Sequence, residues 1–160
     1  MDDFVLARVL HVLGIVLWIG GVAMVTFVLL PTLARMQPAT DAMAFFSRFR
    51  QRFAAQARFS TLIVGLSGFY MVHALNAWPR FMQWQYWWMH MMVVIWIFFS
   101  VMLFVMEPRG RRQRAAPAQQ DISPETFAKI QRKHLFLLTL SLITIAGAVA
   151  GSHGWLIAGS

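Results

Sequence analysis

The sequence predicts an all-α integral membrane protein. The expected form is a four-helix bundle, up-down-up-down, N-out and C-out, making a single transmembrane domain over residues 1–160. Three observations predict it. Hydrophobic residues make up 59% of the chain and charged residues only 12%, about half the charged share of an ordinary soluble domain. The apolar residues fall in long blocks, each near the roughly 20 residues that a membrane helix needs. The net charge of +8 is concentrated between those blocks, in alternate loops.

The expected spans cover about 4–33, 59–75, 87–106 and 134–157. Backbone groups find no water inside a bilayer, so these blocks are expected to be helices; barrel strands would show short alternating segments instead. The N-terminus, Met1-Asp2-Asp3-Phe4, lacks a basic n-region, and the first block is too long for a signal-peptide core, so it is expected to be a retained span. Orientation follows the positive-inside rule. Arg35, Arg48, Arg50, Arg52 and Arg58 fall in or beside one expected cytoplasmic loop, 34–58. Arg109, Arg111, Arg112, Arg114, Lys129, Arg132 and Lys133 fall in the other, 107–133. The opposite side carries Arg8 and Arg80. Basic residues placed this way set topology, which excludes a nucleic-acid partner and implies a bacterial inner membrane.

Within the first loop, Thr40-Asp41 is expected to cap a helix carrying Phe45, Phe46, Phe49 and Phe53, either interfacial or an extension of span two. The stretch from Glu107-Pro108 to Gln120 is expected to be mobile, and Ser123-Pro124-Glu125 reads as a helix start running into span four. Trp78, Trp84, Trp87 and Trp88 are expected to form an aromatic belt at the outer interface. Gly14, Gly20, Gly21, Gly65, Gly68, Ala146, Gly147 and Ala150 are expected to let helices approach closely.

Ionisable residues inside membrane spans are costly and usually functional. Here they are histidines. His11, His73, His90 and His153 each lie toward the outer end of a different span, in one expected layer. His134 starts span four beside Lys133 and is expected to be structural. With no cysteine, thiolate metal sites and iron–sulfur clusters are excluded. No Asp or Glu lies within a span, which argues against a carboxylate-bridged metal pair and a hydrolytic zinc site. Imidazole ligates haem iron, copper and zinc. Haem b is the first expectation, with Arg8 and Arg80 as partners for its propionates. Copper is the alternative, because Met71, Met82, Met89, Met91 and Met92 flank His73 and His90. A structural subunit, whose histidines only seat it at the interface, is the third reading.

Leu10-His11-Val12-Leu13-Gly14-Ile15-Val16-Leu17-Trp18-Ile19-Gly20-Gly21 resembles the opening helix of HemJ-type protoporphyrinogen oxidases and of CopD-type copper resistance membrane proteins. Pro31 fits the HemJ pattern, Arg58 to Gly68 is similar to both groups, and Trp88-Met89-His90 resembles the Trp-Leu-His of the HemJ third helix. The resemblance covers the first three spans; Ser152-His153-Gly154-Trp155 does not match it. It implies a haem-binding role for His11 and adds Trp18 to the candidate cofactor site. HemJ-type proteins carry a lysine two residues after the third-helix histidine; here that position is Met92, so the resemblance implies haem without protoporphyrinogen oxidation. A redox or electron-transfer role is expected. The expected partners are the lipid bilayer, a quinol or redox protein, and a second copy or a larger membrane complex.

Overall fold

The protein is described by a computed structural model covering residues 2–106 and 124–155. Those residues are helical or in short turns, with no strand among them. Three helices are long and apolar enough to cross a membrane: Asp2–Arg35, Trp84–Met106 and Glu125–Ser152. This is the signature of a multi-pass membrane protein.

The first helix is built in three parts: α1 (Asp2–Met24), a π-helical turn (Val25–Leu29) and α2 (Leu30–Arg35). The wide turn sits just before Pro31. Leu30 N–H reaches back five residues to Val25 O, so the next donor in that series would be Pro31 N, which carries no hydrogen. Thr26 O is thereby left without its backbone donor. The side-chain amide of Gln131 donates to it at 3.2 Å.

α3 (Ala39–Ala74) is one continuous helix of 36 residues. The phenylalanine segment is therefore an extension of the apolar stretch beyond it. Thr40 and Asp41 lie inside the first turn, and Pro38 takes the cap position with no side-chain cap bond. α3 stands outside the membrane-length set: its apolar run is confined between Arg58 and the helix end at Ala74, and Ser60, Thr61, Ser67, Tyr70 and His73 interrupt it. Ser60, Thr61 and Ser67 are buried against neighbouring helices. The Ser60 and Ser67 hydroxyls donate to carbonyls on their own helix, as polar side chains in apolar surroundings must.

α3 ends in a Schellman motif. Asn76 adopts φ 48°, its N–H donates to His73 O at 3.0 Å, and Ala77 N–H donates to Val72 O at 2.9 Å. Two 3₁₀ turns (Trp78–Met82 and Trp84–Tyr86) lead into α4 (Trp87–Val101), which finishes in a second π turn (Met102–Met106). α5 (Pro124–Ser152) begins where the Ser123-Pro124-Glu125 signal predicts; Ser123 itself and the stretch from Glu107 to Gln120 lie outside the described residues. α5 also closes in a Schellman motif, with Gly154 at φ 80° and Trp155 N–H donating to Ala150 O at 3.1 Å. His153 is thus the cap residue after the helix, rather than a residue within a fourth span reaching 157.

Close approach at the glycines is of one kind: a large side chain seats on a bare backbone. A Cβ at Gly65 would fall 2.5 Å from the Trp96 ring, at Gly147 2.6 Å from Trp87, and at Gly151 2.3 Å from Trp88. At Gly21 it would meet Phe53, and at Gly14 the Val64 side chain. These seats splice the helices: α1 onto α3, α3 onto α4, and α4 onto α5. The tryptophans accordingly divide. Trp84 is 89% exposed, whereas Trp88 is 5% exposed and belongs to the interior, not to a belt.

Two apolar clusters fill the fold. One gathers Trp18, Val22, Val64, Ile95, Phe99 and Leu138 from all four long helices. The other joins Val25, Leu30, Leu33, Ala42 and Phe127 near the arginine-rich end. Many apolar residues on the outer faces, such as Val16, Phe59 and Leu66, remain exposed, as lipid-facing surfaces would be.

Candidate functional site

His11 lies half-buried where α1 meets α3. Its Nδ1 is 2.9 Å from Val64 O and 3.2 Å from Ser67 Oγ. A carbonyl can only accept, so Nδ1 carries the proton and donates. Ser67 commits its own hydrogen to Ile63 O, leaving its oxygen to accept from His11 as well. Two acceptors converging on one ring nitrogen fix the tautomer and leave the Nε2 lone pair for a ligand. Gly68 keeps room beside the ring, because a Cβ there would stand 3.0 Å from His11 Cε1. The seven-residue spacing to Trp18 holds as expected: both face inward from α1. Trp18 is buried, edge-on to Phe99 with ring centroids 4.9 Å apart, and among the described residues its Nε1 has no hydrogen-bond partner.

The other histidines occupy different settings. His90, in the first turn of α4, holds the preceding loop: Nε2 lies 2.8 Å from Phe81 O and Nδ1 3.3 Å from Tyr86 O. Phe81 meets its ring edge-on, and Trp84 stacks on it at 6.2 Å. His73 is exposed in the last turn of α3, and its carbonyl takes part in the Schellman motif. His153, also exposed, donates from Nδ1 to Val149 O at 2.8 Å. His134 makes the same bond to Ile130 O at 2.9 Å. Among the described residues, no group of three or more His, Cys, Asp or Glu side chains comes together to hold a metal ion. A haem needs at most two imidazoles and draws the rest of its binding from apolar and aromatic walls.

Arg8 and Arg80, the candidate propionate partners, are exposed. Each rests on a neighbouring ring, Arg8 over Phe4 at 5.3 Å and Arg80 over Tyr86 at 5.4 Å. Stacking of this kind leaves the guanidinium edges available to an anion.

Ser67, Val64 and Gly68 are the functional neighbours that sequence reading did not assign to His11. Their signal was faint: Ser67 and Gly68 are small residues beside an apolar run, indistinguishable from ordinary packing until α3 is placed against α1. No protein-family model, curated protein or solved structure matches the chain.

Proposed function

We propose that this protein is a haem b-binding membrane protein of electron transfer, crossing a bacterial inner membrane as a four-helix bundle with both ends outside. The observation that carries the reading is the setting of His11. Its Nδ1–H is held by Val64 O and Ser67 Oγ, so the free Nε2 has the tautomer and fixed ring that axial ligation requires. His11 would be one residue holding the haem iron, with His73, His153 and, once released from the Phe81 carbonyl, His90 as the pool for a second. Arg8 and Arg80 would neutralise the propionates, and Trp18 would contribute to the wall of the site. When bound, haem b supplies one-electron chemistry, and a quinol or a redox protein would be the electron donor. The chain's own part is to fix the His11 ring, to keep Gly68 clear beside it and to exclude water with the apolar cluster around Trp18. A second copy or a larger membrane complex would complete the electron path.

Absorption spectroscopy of the purified protein tests the reading. A Soret band that sharpens and shifts on dithionite reduction is expected in the wild type and in His134→Ala, and is lost in His11→Ala. A colourless protein with stoichiometric copper would overturn haem in favour of copper handling. Equal retention in the two variants would remove His11 from the site.

A further inference from the structure

A groove of about 560 Å³ runs along the seam between α1 and α3, toward the arginine-rich end and away from His11. Val16, Leu17, Gly20 and Phe49 line it, and Arg52 and Gln56 supply its polar groups. Its size falls in the range of natural small-molecule sites. Gly20 forms an open floor, since a Cβ built there meets nothing within 4 Å. This sets Gly20 apart from neighbouring Gly21, which is filled by the Phe53 ring.

Arg52 decides the chemistry of the occupant. It is exposed at the groove and forms no ion pair among the described residues. The acid on its own helix, Asp41, lies eleven residues back, roughly 16 Å along the axis. A guanidinium at the proposed cytoplasmic edge of an apolar groove lies at the level of anionic headgroups, and its planar fork suits the paired oxygens of a phosphate. Arg48, one turn back on α3, extends the same positive edge. A neutral isoprenoid would use the apolar walls but leave this charge unanswered.

We infer that the α1–α3 groove binds an anionic phospholipid, one acyl chain lying over Gly20 and the phosphate on Arg52. The site is independent of the haem reading, which concerns the opposite end of the α1–α3 seam.

Native mass spectrometry of the detergent-purified protein, titrated with phosphatidylglycerol or phosphatidylcholine, tests it. Phosphatidylglycerol is expected to bind more tightly, and Arg52→Gln to weaken it about fivefold, the worth of one basic residue at an anionic lipid surface. Gly20→Leu fills the groove and is expected to abolish the preference at wild-type melting temperature, because the space above Gly20 is empty. Arg52 is exposed, so Arg52→Gln carries the test alone if Gly20→Leu proves unstable. Equal binding of the two lipids, or wild-type phosphatidylglycerol binding in Arg52→Gln, overturns the inference. Loss in Gly20→Leu alone would mean a neutral occupant and would also overturn it.

Discussion

Gln131 on α5 donates its side-chain amide to Thr26 O on the first helix, at 3.2 Å, and Thr26 O is the carbonyl that Pro31 deprives of a backbone donor. Gln131 therefore repairs, at a carbonyl 105 positions away, a gap that Pro31 makes. Thr26 itself is fully buried, so water cannot take the place of the amide.

Removing that amide is expected to cost about 1–3 kcal/mol, the penalty of a buried acceptor left unpaired. Gln131→Leu should lower the unfolding midpoint in detergent accordingly. In a Pro31→Ala background the helix regains a backbone N–H, and the same substitution should cost about 1 kcal/mol less. Equal losses in the two backgrounds would break the link between Pro31 and Gln131.

Gly147→Ala and Gly151→Ala on α5 should each destabilise by about 1–3 kcal/mol, through overpacking against Trp87 and Trp88. Trp88→Leu should relieve Gly151→Ala but not Gly147→Ala, because each ring covers its own glycine. Thermal unfolding of the three single and two double variants separates this from a general helix-propensity effect, by which Ala would stabilise.

On the proposed haem reading, Gly68→Ala should reduce haem retention more than stability. Its new methyl stands 3.0 Å from His11 Cε1, so the imidazole must give by a few tenths of an ångström, which strains the geometry set by Val64 and Ser67. The haem-to-protein absorbance ratio and the melting temperature, measured together, check this. A proportional fall in both would assign Gly68 to packing alone.

The chain contains no cysteine, which makes topology directly measurable. Gln37→Cys and Gln83→Cys both lie at exposed positions, beside opposite ends of α3. With an impermeant maleimide on intact spheroplasts, Gln83→Cys should label, and Gln37→Cys should label only after permeabilisation. The reverse pattern would invert the proposed orientation.

Much of the helical plan was legible from the residues. Uninterrupted apolar blocks report local solvent demand, so the long helices containing Val12–Leu17 and Val93–Ile97 could be read directly. The start at Pro124 was equally local, because proline and an acid suit a first turn. Helix ends were harder. Asn76 and Gly154 are the left-handed residues of two Schellman motifs, yet His153 was read as lying inside a longer span because apolar residues continue past it.

The expected histidine layer divides along the same line. It rests on counting along each helix, because rise per residue is fixed by backbone geometry. What each imidazole does was decided by its neighbours. His11 meets Val64 and Ser67 from another helix, whereas His90 meets the carbonyls of its own loop.

By itself, then, the sequence determined hydropathy, helical periodicity and the segregation of charge, all properties of single segments in their solvent. Tertiary structure alone decided which ring seats on which glycine, which amide answers Pro31 and which nitrogen of His11 is free. These depend on contacts between residues 31 to 105 positions apart, whose register no local pattern encodes.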